Sequence, residues 1–81
     1  MYSMAKIRSF YYLIDRLNRN IAADIRSALD TISGIESINM RLNENIIEVH
    51  SLRDVEEQLT MACIVAGTTY RTKVKKKDIS T

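Results

Sequence analysis

The 81-residue sequence predicts an α+β sandwich in the order βαββαβ. Two stretches repeat apolar residues at helical offsets, four others are short and rich in alternating β-branched or aromatic residues, and the joints are polar or carry glycine. Each helix then presents an apolar stripe that must be covered, and one face of a four-stranded antiparallel sheet covers both. The arrangement is ferredoxin-like, with two helices on one face and the first and third strands central.

Residues 6–15, KIRSFYYLID, are too short for a typical helix and read as the first strand. One face carries Ile7, Ser9, Tyr11 and Leu13, the other Arg8, Phe10, Tyr12 and Ile14, and both are largely apolar, as a central strand requires. The period then changes: Ile21, Ile25, Ala28, Leu29 and Ile32 fall on one helical face, Asn18 or Asn20 caps its start, and Gly34 follows its last turn. A hairpin comes next, with Ile38, Met40 and Leu42 alternating before the polar turn Asn43 to Asn45, and Ile47 and Val49 after it. Asp54 with Glu57 opens a second helix like a capping box, Val55, Leu59, Ala62, Cys63 and Ala66 form its buried stripe, and Gly67 closes it. TYRTKVK, from Thr69, alternates again and reads as a short last strand.

Composition narrows the class. The chain reads as a single domain over 1–81, with a core of about 6–75 and a basic tail over 75–81. A hydrophobic share of 46% with two Gly and no Pro is that of an ordered chain, and no apolar run reaches membrane-spanning length. The first residues, MYSMAKIRSFYYLID, do not have the form of a signal or transit peptide, so a cytoplasmic location is expected. The single cysteine, Cys63, excludes an internal disulfide and a multi-cysteine zinc site. A net charge of +2 does not by itself imply nucleic acid, although five of the twelve basic residues lie between Arg71 and Lys77.

The stretch from Ala22 to Val49, AADIRSALDTISGIESINMRLNENIIEV, resembles the first helix, glycine turn and hairpin of the heavy-metal-associated domain of copper chaperones and metal-transporting ATPases. The spacing from Val49 through Leu59, Ala62 and Cys63 to Ala66 and Gly67 is similar to that family's second helix. The resemblance covers about residues 6–75 and implies the fold. It also implies where metal chemistry would sit, in a Met-x-Cys-x-x-Cys loop before the first helix, where two thiolates hold a soft cation. Those positions fall on Arg16, Asn18 and Ile21, none of which is a soft ligand, and the often aromatic position after the second helix is Thr68. The fold therefore carries over and the Cys-x-x-Cys metal motif does not, so no metal or other cofactor is expected.

Isolated candidates have simpler readings. Cys63 lies on the apolar stripe of the second helix and reads as a small buried residue, and the lone His50 ends a strand without ligands at metal spacing. Asp54, Glu56 and Glu57 are explained by helix capping, and no nucleophile relay or phosphate loop is legible, so the chain is expected not to be an enzyme. RNA-recognition domains share the topology, but their third strand supplies aromatics where this chain has Ile46, Glu48 and His50, so nucleic acid is not adopted as a partner. The small-ligand regulatory domains of the ACT type share it too, yet their loop glycine is missing from DRLNRN.

If Tyr11 and Leu13 face the helices, then Phe10, Tyr12 and Ile14, joined by Ile46, form an outward apolar centre rimmed by Arg71, Lys73 and Lys75. The sequence thus points to an interaction or adaptor module that docks an acidic protein partner, or a second copy, through the open sheet face. Asp at Tyr12 and Ile14 would then remove association and spare the fold. The alternative is copper or zinc trafficking through non-standard or partner-supplied ligands.

Overall fold

The computed structural model describes residues 6–76. Its elements are β1 (Arg8–Ile14), α1 (Arg19–Leu29), β2 (Ile35–Arg41), β3 (Ile46–Ser51), α2 (Glu56–Ala66) and β4 (Tyr70–Val74). The strands form one antiparallel sheet in the order β2-β3-β1-β4, so β1 and β3 are central as the sequence predicts. Residues 77–81 of the basic tail lie outside the described residues.

Local chemistry explains the joints. The Asn18 side chain accepts the Ile21 N–H at 2.9 Å and caps α1. That helix stops at Leu29, earlier than the sequence suggests; Gly34, with φ 92°, instead turns the chain into β2. A 3-10 turn at Leu42–Glu44 links β2 to β3 and ends on Asn45, a left-handed residue with φ 57°. Val55 occupies the cap position of α2, while Asp54, one residue earlier, accepts the Glu56 N–H at 3.0 Å. Gly67, with φ 89°, closes α2 as expected.

The core lies between the sheet and the two helices. Tyr12 and Ile14 of β1 and Ile47 and Val49 of β3 meet Ile21, Ile25 and Leu29 of α1 and Leu59, Ala62 and Cys63 of α2. This reverses the expected facing of β1: Phe10, Tyr12 and Ile14 point at the helices, and Tyr11 and Leu13 take the open face. The reason is polar as well as apolar. The Tyr12 hydroxyl donates to Asp54 Oδ1 at 2.8 Å and accepts the Val55 N–H at 3.2 Å, a pair of bonds available only on the helix side. Phe10 stacks on the Tyr12 ring, and Tyr70 meets its edge.

The last strand changes face partway along. A bulge between Leu13 and Ile14 places Tyr70 beside Ile14 and Lys73 beside Tyr12, on the helix side, whereas Thr72 and Val74 pair with Leu13 and Tyr11 on the open side. Lys73 Nζ therefore reaches Asp54 and Glu56, and Arg71 pairs with Asp15 at 3.0 Å. The expected basic rim is thus largely spent on internal ion pairs, and of its three members only Lys75 is exposed without one among the described residues.

Of the expected apolar centre only Ile46 lies on the open face, where it is buried with Tyr11 against Leu13 and Val74. Beside this small cluster a polar row crosses three strands. His50 Nε2 donates to Glu48 Oε2 at 2.6 Å, and His50 Nδ1 lies 2.9 Å from the Ser9 hydroxyl. Arg41 Nη2 donates to Glu48 Oε1 at 3.1 Å. At the free edge of β2, Arg26 Nη2 of α1 donates to the Ile38 carbonyl at 3.2 Å.

Two outcomes follow for stability. Tyr12→Phe orphans the Val55 N–H and should cost about 1–3 kcal/mol in urea melts, while the pair Tyr12→Asp and Ile14→Asp should abolish the folded far-UV signal rather than spare it. Burial acts to raise the Glu48 and Asp54 carboxyls, but hydrogen bonds from Arg41, His50 and Asn39 to the one, and from Lys73, Tyr12 and the Glu56 amide to the other, outweigh it and leave both below their ordinary 4.5 and 3.8. A depressed folded value means stabilisation that is complete above those ordinary values and disappears as pH falls through the folded ones. Thermal unfolding from neutral pH to pH 2 should therefore show a melting temperature that drops below about pH 4.5, with a shallower acid limb in Glu48→Gln.

Candidate functional site

The loop between β1 and α1 is where the sequence resemblance places metal chemistry, and its backbone amides from Asp15 to Leu17 are all hydrogen-bonded. The Ile14 N–H donates to the Asn45 carbonyl at 2.8 Å and the Asp15 N–H to the Thr69 carbonyl at 2.8 Å. The Arg16 N–H donates to Thr68 Oγ1 at 3.1 Å, and the Thr68 hydroxyl donates back to the Arg16 carbonyl at 3.0 Å. Asn45 Oδ1 accepts the Leu17 N–H at 3.0 Å. Leu17 then drops its side chain into the core, 4% exposed.

The three motif positions have structural employment. Asn18 is the helix cap and Ile21 is part of the core, so neither side chain presents a donor to a cation. Arg16 is exposed, as is Arg19 three residues later, and the first turn of α1 holds no acid. Two guanidinium groups beside the partly positive end of a helix make the place electrostatically unfavourable for a metal ion. Thr68 is a clamp on the loop rather than a side chain standing over a site.

The other candidates lie apart from this loop. Cys63 is fully buried, and burial pushes its thiol up to about 11, so at neutral pH it is a thiol and not a thiolate ligand. His50 belongs to the polar row of the open sheet face. Asp54 and Glu56 are engaged by Tyr12, Lys73 and Tyr70, the last donating to Glu56 Oε2 at 2.5 Å. Among the described residues no group of three or more His, Cys, Asp or Glu side chains is gathered around one point.

A surface absent from the sequence reading stands out instead. On α2, Met61, Ile64 and Val65 are 65%, 66% and 84% exposed, the largest apolar exposures among the described residues. Spaced i, i+3 and i+4, they form one stripe on the side of the helix opposite its core residues Leu59, Ala62 and Cys63. Beside the stripe, Ala28, Thr31 and Ile32 of the α1 end and Gln58, Met61, Ala62 and Val65 of α2 line a shallow groove of about 320 Å³. The signal was present in Met61 to Ala66, MACIVA, six consecutive apolar residues where one buried stripe uses about half.

The loop's construction has a measurable cost when broken. Asn45→Ala removes the acceptor of the Leu17 amide from a left-handed residue and should lose about 1–3 kcal/mol in urea melts. Asn18→Ala should lose about 1 kcal/mol, and Asn18→Asp should retain the cap.

Comparison with known proteins agrees with the geometry at the level of the fold. No family model matches the chain, and no curated protein matches it. Solved structures do. The N-terminal domain of ZntA in its apo form superposes with a TM-score of 0.75 at 14% identity, covering 90% of this chain and all of that one. The N-terminal domain of PacS from Synechocystis PCC6803 gives 0.66 at 19% identity, over 84% of this chain and 98% of that one. The apo HMA domain of the copper chaperone for superoxide dismutase gives 0.62 at 12% identity, over 100% of this chain and 90% of that one. With the strand order and the two helices already described, the chain has the ferredoxin-like βαββαβ fold of heavy-metal-associated domains.

Proposed function

We propose that this chain is a small non-catalytic interaction module of the cytoplasm, built on the heavy-metal-associated fold and without its thiolate metal site. The observation that supports this reading is the double employment of the loop: Asn18 caps α1, Ile21 fills the core, and Asn45 and Thr68 tie the intervening backbone down. A carrier loop must admit and release a soft ion through exposed thiolates. This loop offers an amide oxygen already bonded, a buried methyl group and two cations.

The contact surface in this reading is the outer side of α2, because Met61, Ile64 and Val65 leave apolar area that no other described residue covers. The open sheet face supports contact less well. Tyr11 and Ile46 are buried there, and Glu48 and His50 are satisfied by neighbours. A helix that is apolar almost all round belongs in an interior or an interface, and α2 has only one side in the interior of this chain.

Titration of the reduced protein with Cu(I) and with Zn(II) against a competing chelator tests the loss of metal binding. The expected result is no stoichiometric complex. A tight one-to-one complex would overturn the proposal and restore metal carriage, and repeating the titration with Cys63→Ala and His50→Ala would then identify the ligands.

A further inference from the structure

We infer that the protein binds an extended acidic peptide as an added strand, laid beside the start of β1 where β4 has ended. This place is separate from the outer side of α2 and does not depend on the reading of that side.

Strand β1 starts at Arg8, but β4 pairs with it only from Tyr11 to Ile14 and ends at Val74. In a central strand the backbone groups of successive residues point to opposite neighbours, and two bonds fix the phase here. The Ile14 N–H donates toward β3, to the Asn45 carbonyl, and the Asp15 N–H toward β4, to the Thr69 carbonyl. Counting back by twos from Asp15, Leu13, Tyr11 and Ser9 turn their N–H and C=O toward β4. Leu13 and Tyr11 have Thr72 and Val74 opposite them. The same register would set Lys76 opposite Ser9, but Lys76 is outside the strand, and the Ser9 N–H and C=O make no backbone hydrogen bond on that side among the described residues.

The gap is a slot of about 580 Å³ in the plane of the sheet, with Ser9, Phe10 and Tyr11 on one side and Val74, Lys75 and Lys76 on the other. Residues of both sheet faces line it, since Tyr11 and Val74 belong to the open face and Phe10 to the helix face. A pocket on one face would not draw on both, whereas a missing strand does.

Charge selects the occupant. Arg8, Lys75 and Lys76 are exposed and have no ion-pair partner among the described residues, and no acid lines the slot. Lys73, the remaining cation at the slot, is already held by Asp54 and Glu56. The Arg8 guanidinium lies over the Phe10 ring, 5.1 Å from its centre, and so stands on the helix face. On the open face Ile7, 41% exposed, continues the apolar pair Tyr11 and Val74. A peptide that alternates acidic and apolar residues matches both: carboxylates toward Arg8, apolar side chains toward Ile7, Tyr11 and Val74, and the whole within the positive field of Lys75 and Lys76. Its backbone supplies the partners of Ser9. The free edge is short, so the complex is weak and reversible.

Amide NMR of the nitrogen-15-labelled full chain, titrated with an acetylated and amidated hexapeptide of alternating glutamate and valine, reads the site directly. The expected result is a saturable shift and slowed hydrogen exchange at the Ser9 amide. The double variant Lys75→Glu and Lys76→Glu should bind about five- to twentyfold more weakly with unchanged far-UV circular dichroism. The same hexapeptide N-methylated at every amide should not bind. An unmoved Ser9 amide overturns the inference, as does equal binding of the N-methylated peptide or of a hexapeptide alternating lysine and valine. A Ser9 signal that moves with protein concentration in the absence of peptide marks a second copy as the occupant and overturns it too. Shifts confined to Met61, Ile64 and Val65 overturn it in favour of the α2 side. None of these results bears on the metal titration, so failure of the strand addition and failure of the functional reading are told apart.

Discussion

The hydroxyl of Tyr12 decides how the molecule is assembled. It stands on a central strand, gives its proton to Asp54 and takes the Val55 amide, which joins the middle of the sheet to the start of α2. Asp54 in turn holds the Glu56 amide and Lys73 of β4, so one phenol orients a helix and, through a carboxylate, an edge strand. Burial pushes the Tyr12 phenol above its ordinary range, which keeps the proton on the oxygen that has to donate it. Had β1 been turned by one residue, Ser9, Tyr11 and Leu13 would face α1 and α2, with no ring aligned to Asp54.

The loop before α1 has a corresponding economy. The sequence resemblance places soft-metal chemistry in the turn at this helix start, where a helix N-terminus favours thiolates. Here Asn45, Thr68 and Asn18 convert that turn into a hydrogen-bonded joint, with Leu17 anchoring it from below. These bonds tie the start of α1 to the turn after α2 through Thr68 and to the turn before β3 through Asn45.

Element order, the caps at Asn18 and Gly67 and the central places of β1 and β3 were legible because each depends on neighbours within a few residues, on periodicity, or on the burial of one stripe. The facing of β1 was not. Both of its residue sets are apolar, and the choice between them rests on a bond to Asp54, 42 residues away. The basic residues of β4 misled for a related reason: a bulge at Arg71 shifts the alternation, and the acids that take up Arg71 and Lys73 lie 56 and 19 residues away. The α2 surface was visible as a run of apolar letters, but one buried stripe satisfied the helix pattern and its surplus passed without a role. The loop's missing thiols were read from the sequence directly, whereas its clamps needed the third dimension, because Asn45 and Thr68 come from two other turns.

Arg26 carries a consequence for the behaviour of the protein in a crowded cell. Strand β2 is an outer strand, and an outer strand offers its unpaired carbonyls as a template for fibrous stacking. The guanidinium group from α1 sits on the Ile38 carbonyl, in the middle of that strand, and occupies the position an incoming strand would need. At Ile38 this edge is thereby blunted against intermolecular ladders, and an encounter there is left to side chains, where a mismatch of shape or charge ends it before it can propagate.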